Sequence, residues 1–299
     1  MVIGGPIQRQ AGTARASGAL SETGTSGAST MAQRFEGKVA LITGAARGQG
    51  RAEAIRLAAE GADILAIDVC ASIPTVTYEG TDPDDLAETV RAVKDLGRRI
   101  VPFEVDTRDF AALSAAVDQG VAELGRLDVV VANAGICSYG LLWELTDEQF
   151  RTMIDVNVIG TWHTFKATIP TLIRQGDGGS IIATSSVGGI RGMPWLGHYV
   201  ASKHAISGMA KTLANELGQH NIRVMILVPN AVDTPMGTDQ TLVASVQGDP
   251  ALGSIFMNAL PATLTEPEVV AAAVAFIASE DGRYMTGSEF VIDLGNLAR

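Results

Sequence analysis

The chain has 299 residues, 46% of them hydrophobic, and a formal net charge of −11. Such a chain can bury a large core, and its acidic balance argues against nucleic-acid or anionic-membrane partners, which select basic surfaces. No apolar run reaches 18 residues, so no membrane span is expected, and Cys70 and Cys137 fit the reduced thiols of a cytoplasmic protein better than a disulfide scaffold.

From Gly4 to Thr30 the chain is mostly Gly, Ala, Ser and Thr, with no apolar periodicity and no signal-peptide core. A disordered tail is expected over residues 1–33, with Met31 as an alternative start. From Lys38 onward, apolar runs rich in Val and Ile alternate with amphipathic segments. The predicted strands are Lys38 to Thr43, Asp63 to Ile67, Ile100 to Val105, Leu127 to Ala132, Ser180 to Thr184, Arg223 to Val228 and Glu289 to Ile292. Runs without strict alternation fit strands buried on both faces of a parallel sheet.

The helices between them carry their own signals. Asp82-Pro83-Asp84-Asp85 offers an N-cap, a proline at the first helical position and acids in the first turn, and Leu86, Val90 and Val93 mark the apolar face. Phe110, Leu113, Val117, Val121 and Leu124 mark another. Thr146 with Gln149, and Thr265 with Glu268, have capping-box spacing. The predicted fold class is α/β: a single doubly wound domain over residues 34–299, with a seven-stranded, mainly parallel sheet and helices on both faces.

The loop Thr43-Gly44-Ala45-Ala46-Arg47-Gly48-Gln49-Gly50 follows the first strand and leads into a helix predicted from Arg51 to Glu60. Glycines there permit a tight turn and a close backbone approach to a pyrophosphate at the helix N-terminus. Asp68, eighteen residues past Gly50, ends the second strand, where a carboxylate accepts hydrogen bonds from ribose hydroxyls and repels a 2′-phosphate. Arg47 points the other way, since a basic residue can pair with that phosphate. NAD is favoured over NADP because the carboxylate occupies the strand tip.

Tyr199-Val200-Ala201-Ser202-Lys203, with Ser186 thirteen residues upstream, suggests a base. On a helix Tyr199 and Lys203 share a face. Bringing a phenol from ~10 to ~7 takes roughly 4 kcal/mol. An ammonium about 5 Å away at an effective dielectric of ~20 supplies about 3 kcal/mol, and an oxidised nicotinamide ring could supply the rest.

Together, the loop at 43–50, Asn133-Ala134-Gly135, Asn157, Ser186 and Tyr199-x-x-x-Lys203 resemble the short-chain dehydrogenase/reductase family, from about Lys38 to the C-terminus. The resemblance implies a Rossmann-type fold with Tyr199 as base toward an alcohol or acid toward a ketone. Lys203 would hold the nicotinamide ribose and lower the Tyr199 pKa, Ser186 would hydrogen-bond the reacting oxygen, and Asn157 would position a relay water. Gly44, Arg47, Gly48, Gln49, Gly50 and Asp68 would hold the nucleotide half of the cofactor. Asp106 would contact the adenine, Asn133, Ala134 and Gly135 would line the cleft, and Thr234 would reach the carboxamide.

The segments Thr43 to Arg51, Ala66 to Cys70, Val131 to Gly135 and Gly197 to His204 further resemble the carveol-dehydrogenase-like subgroup, associated with the peptide-derived redox carrier mycofactocin. That resemblance implies that the long connection Val69 to Thr81 covers bound NAD, which an external acceptor would reoxidise in place. A homotetramer is implied as well. Pro229-Asn230 stands where many members have Pro-Gly, and Met225 where many have asparagine.

Tyr139, Leu142, Trp143, Met193, Trp195, Phe256 and Met257 fall where loops leave the carboxyl ends of strands, which suggests an apolar pocket. His198 reads as a satisfied polar group at a helix start and Cys137 as a packing residue, while His163, His204 and His220 lack metal-ligand spacing, so no metal is expected. The leading expectation is therefore an NAD-dependent oxidoreductase acting on a lipophilic secondary alcohol or its ketone. The rivals are an NADP-dependent 3-oxoacyl-thioester ketoreductase and a non-catalytic dinucleotide sensor.

Overall fold

Seven strands form one sheet in a computed structural model that describes residues 33–299; the tail expected over residues 1–33 lies, apart from Gln33, outside the described residues. The strands are β1 (Val39–Thr43), β2 (Asp63–Asp68), β3 (Ile100–Glu104), β4 (Val129–Ala132), β5 (Gly179–Thr184), β6 (Ile222–Pro229) and β7 (Glu289–Ile292). Their order is β3-β2-β1-β4-β5-β6-β7, and every pairing is parallel. The order reverses between β1 and β4, which opens a crevice at the carboxyl ends of these strands.

Alternation along the strands sends side chains into two separate cores. Leu41, Leu65 and Ile67 pack in a layer with Leu113, Phe165, Leu172 and Ile206 from α3 (Phe110–Leu124), α5 (Gly160–Gln175) and α6 (Gly197–Leu217). Ala40, Ile42, Ile64 and Ala66 face the opposite layer, with Leu57, Leu86 and Val274 from α1 (Gly48–Ala59), α2 (Pro83–Asp95) and α9 (Pro267–Ala278). Each fully buried Leu or Ile contributes about 1.5–3 kcal/mol, so both faces must be apolar and the strands read as unbroken hydrophobic runs. The exposed Pro102 is tolerated because β3 is an edge strand.

Two of the three expected helix caps form. Asp82 and Asp85 form a reciprocal capping box with Pro83 at the first helical position, and Thr146 and Gln149 do the same for α4 (Asp147–Ile154). The box expected from Thr265 and Glu268 does not form. Pro267 takes the first helical position of α9, making Glu266 the cap residue, and Thr265 instead bridges Val232 by backbone hydrogen bonds. α1 begins at Gly48, three residues before the predicted Arg51, so the last two glycines of the phosphate loop lie in its first turn. Around Asn157 two α-helices, α4 and α5, are joined by a π-helical turn over Asp155–Ile159.

One buried group in α1 contributes nothing to pairing. Glu53 is fully buried, and neither carboxylate oxygen has a hydrogen-bond partner among the described residues. Burial pushes its carboxyl up from 4.5 to about 8. The folded state therefore binds a proton there that the unfolded state has already released between pH 4.5 and 8. Stability contributed by the neutral form is lost as pH rises through that window. Glu53→Gln, which cannot ionise, is expected to raise the melting temperature relative to the parent more at pH 8.5 than at pH 5. Thermal melts at both pH values check this.

Candidate active site

The α1 end of the crevice is built from backbone. Gly44 adopts φ +71°, which favours glycine, and a Cβ there would lie 3.0 Å from Ala134 Cα. At Gly50 a Cβ would lie 2.0 Å from the Gly44 carbonyl oxygen, so the turn closes only around glycine. Arg47 precedes α1 without capping it by its side chain, and no acid occupies the first turn, which leaves that helix end suited to an anion. The buried Gln49 Oε1 has no partner among the described residues and lines the same cavity.

Asp68 and Arg47 also line this end of the cavity. Asp68 Oδ2 accepts the Ala46 N–H at 2.9 Å, while Oδ1 accepts from Cys70 N–H at 3.1 Å and from the Thr81 hydroxyl at 2.7 Å. The Arg47 guanidinium donates to the carbonyl of Gly80 at 3.0 Å and to that of Glu79. It is thus engaged by the chain between β2 and α2. Asp106 also lines the cavity, with its carboxylate paired to Arg108 at 2.5 Å.

Across the crevice, Thr43 Oγ1 accepts the N–H groups of Asn133 and Ala134, both at 3.1 Å, and Asn133 Nδ2 donates to the Thr43 carbonyl at 3.1 Å. Gly135 has a different use. A Cβ on it would sit 3.3 Å from Asn157 Oδ1 and 3.5 Å from Lys203 Nζ, so its bareness lets the backbone approach both. Thr234 lines the cavity near α1, and its methyl lies 3.0 Å from where a Cβ on Gly48 would stand.

Ser186, Tyr199 and Lys203 line this same cavity. Lys203 Nζ donates to the Thr184 carbonyl at 2.9 Å and lies 5.5 Å from the Tyr199 ring centre. Asn157 is fully buried in the π turn. Its Oδ1 accepts the Ile136 N–H at 2.8 Å, and its Nδ2 donates to the Ile136 carbonyl and to Ser202 Oγ, each at 3.0 Å. Ser185, by contrast, is spent on packing: its hydroxyl bonds the Lys203 carbonyl and Ser207.

The electrostatics of Tyr199 and Lys203 are set first by burial. Burial pushes the Tyr199 phenol above its ordinary value, only partly offset by its hydrogen bond with Ser186, and burial pulls Lys203 down to about 8. The helix places the two side chains as the spacing requires, and burial moves both toward their neutral forms. A positive charge beside Tyr199 would favour its ionised form.

These features coincide with the results of comparison. The short chain dehydrogenase pattern matches residues 38–242. The chain belongs to the short-chain dehydrogenase family. It is similar to a Mycolicibacterium smegmatis protein named as a short-chain type dehydrogenase/reductase, with 50% identity over 279 residues covering 90% of this chain and 100% of that one. It is 43% identical to (−)-trans-carveol dehydrogenase of Rhodococcus erythropolis, covering 88% of this chain and 98% of the relative. The crystal structure of carveol dehydrogenase from Mycobacterium avium in complex with NAD superposes with a TM-score of 0.85 at 46% identity, covering 89% of this chain and 99% of that one.

Within this short-chain dehydrogenase, residues 69–81 form a strap along the cavity. Ile73 and Val76 pack on Ile136, Met153 and Val156, and the Tyr78 hydroxyl accepts the Cys137 N–H at 3.2 Å. The Thr77 hydroxyl bonds the Asp239 carboxylate, which also caps α7 (Gln240–Gly248) through the Thr241 N–H. The strap thus joins the segment that carries Met236, Leu242 and Phe256 into the other end of the cavity. Tyr78, Thr77 and Asp239 were not singled out from the sequence; apolar Ile73, Val76 and Tyr78 in a loop were the available signal.

Of the apolar candidates, Tyr139, Met193 and Phe256 line the cavity. Leu142, Trp143 and Met257 are exposed instead, and Trp195 stacks behind Phe256 with ring centres 6.1 Å apart. His198 does not line the cavity and is only half satisfied: Nε2 bonds Ser138, while the buried Nδ1 lacks a partner among the described residues. Asn230, in place of the familiar glycine, donates to Asn258 at 2.8 Å, and Met225 is buried with Ser288 on its sulfur. No group of three or more metal-ligating side chains occurs among the described residues, and no described helix is long and apolar enough to cross a membrane.

Gly50→Ala drives a methyl into the Gly44 carbonyl and must open the turn. NADH affinity is expected to fall at least about tenfold, given that small displacements in positioning loops carry such costs. Fluorescence titration with NADH measures it.

Proposed function

We propose that this chain is an NAD-dependent dehydrogenase that interconverts a lipophilic secondary alcohol, terpenoid in kind and resembling carveol, with its ketone. One observation carries the reading. Ser186, Tyr199 and Lys203 converge on a single cavity that has a glycine-built helix N-terminus at one end and apolar side chains such as Met193, Leu196 and Phe256 at the other. The charged residues lining it, Arg47, Asp68, Asp106 and Lys203, belong to the cofactor end or to the catalytic set, so an anionic substrate finds no counter-charge beyond Lys203.

NAD rather than NADP is supported by Asp68 at the strand tip and by Arg47, whose guanidinium is occupied by strap carbonyls. The relative crystallised with NAD supports the same choice. NAD would supply the hydride acceptor and, when oxidised, a positive ring charge that favours the ionised Tyr199 phenol. Tyr199 takes the proton of the alcohol, Ser186 holds the reacting oxygen, and Lys203 would hold the nicotinamide ribose. Asn157 fixes the loop at Ile136 and orients the water that relays the proton outward.

The strap retains NAD between turnovers, and a diffusible carrier of the mycofactocin type reoxidises it in place. Ties from the strap to Arg47, Asp68, Cys137 and Asp239 support retention. The protein works as a cytoplasmic homotetramer; exposed Trp162 and Ile173 on α5 and Val269 and Phe276 on α9 support self-association. The decisive experiment releases and identifies any nucleotide kept through purification, then assays trans-carveol with and without an electron-accepting dye. Retained NAD with dye-dependent turnover is expected; free NADH accumulation with ready exchange sinks the retention claim.

Two variants follow from the geometry. Tyr199→Phe is expected to lower kcat by about 10²–10⁴-fold with NADH binding unchanged, and turnover in the parent should rise with pH because the unprotonated phenol is the active form. Thr77→Val removes one hydrogen bond worth about 1 kcal/mol, so bound NADH should leave roughly fivefold faster in a chase experiment.

A further inference from the structure

Cys137 and Tyr139 line the substrate end of the cavity, but Ser138 between them does not. It is buried, and its hydroxyl bonds His198 Nε2 at 2.7 Å. His198 is also buried and immediately precedes Tyr199 at the start of α6. One side-chain bond therefore spans from the residue beside the base to the residue in the middle of the opposing wall. We infer that Ser138 and His198 are a positioning pair that fixes the separation of Tyr199 from the Cys137–Tyr139 wall, and with it which face of a secondary alcohol reacts.

Shape alone does not account for a histidine here. An aromatic hydrocarbon ring would fill similar space without leaving Nδ1 buried and unpaired, which is a real desolvation cost. That cost is retained together with the one bond the ring makes. The two segments are also stitched by backbone: the Gly140 N–H donates to the Trp195 carbonyl at 2.9 Å, and Gly140 bridges Leu196. Trp195 holds a left-handed φ of +61° there, unusual for a bulky residue. The backbone stitch sets the coarse register and survives loss of the side-chain pair, so variants at Ser138 and His198 are expected to fold. The side-chain bond sets the fine spacing, where an error near 1 Å costs up to about 100-fold in rate.

The inference rests on the dehydrogenase reading, and its test separates the two. Ser138→Ala and His198→Phe should lower the ratio of kcat/KM for the two enantiomers of trans-carveol by at least about fivefold, with NADH affinity unchanged. His198→Gln, whose amide nitrogen reaches the Nε2 position, should keep the parental ratio, whereas His198→Asn should not. Hydrogen exchange of residues 136–140 and 197–201 should quicken in the first two variants and recover in His198→Gln. Folded Ser138→Ala and His198→Phe proteins with parental selectivity overturn the inference, as does a Gln variant that loses as much as Phe. If the parent oxidises neither enantiomer, the dehydrogenase reading falls, and the exchange pattern alone then decides whether the pair couples the two segments.

Discussion

Thr43 and Asn133 close a small knot where the strand order of the sheet reverses. The Thr43 hydroxyl receives two N–H groups from the end of β4, and the Asn133 amide returns a bond to the end of β1. The chain leaves β1 and β4 toward opposite faces of the sheet, and nothing in the ladder itself holds those loops at a set distance. This knot does. Gly44 can then pass within contact of Ala134, Gly50 can tuck under Gly44, and Gly135 can bring backbone close to Asn157 and Lys203. The glycine-built loop and the Ser186, Tyr199 and Lys203 cluster share one cavity because two strand ends are tied.

Burial then sets the chemistry of that cavity. The Tyr199 phenol and the Lys203 ammonium both lose solvent, and both move toward their neutral forms. A charge placed beside them thereby acts in a medium of low polarity, where it counts for more than it would in water. Both groups are therefore more sensitive to a neighbouring charge than the same groups would be in water.

How much of this could be read from the residues depends on how local each feature is. The phosphate loop, Asp68, Ser186 and the Tyr199–Lys203 spacing are short-range patterns, and they meet in the cavity. The seven strands were legible because burial on both faces makes them continuous apolar runs. Thr265 misled because a proline two residues later moved the helix start, and the π turn at Asn157 left no recognisable spacing. Thr77 meets Asp239 across 162 residues, and Ser138 meets His198 across 60. No local periodicity encodes such meetings. The pKa directions were missed for the same reason, since helical spacing gives a distance between two side chains but not how much water surrounds them.

Arg47 has a consequence for the engineering of this protein. A guanidinium committed to the carbonyls of residues 79 and 80 is not free to grip a ribose phosphate. Redesigning the chain to accept the phosphorylated coenzyme therefore means surrendering an anchor of the strap along with the Asp68 carboxylate. One side chain thus joins the loop before α1 to the segment between β2 and α2, and a substitution at position 47 alters both at once.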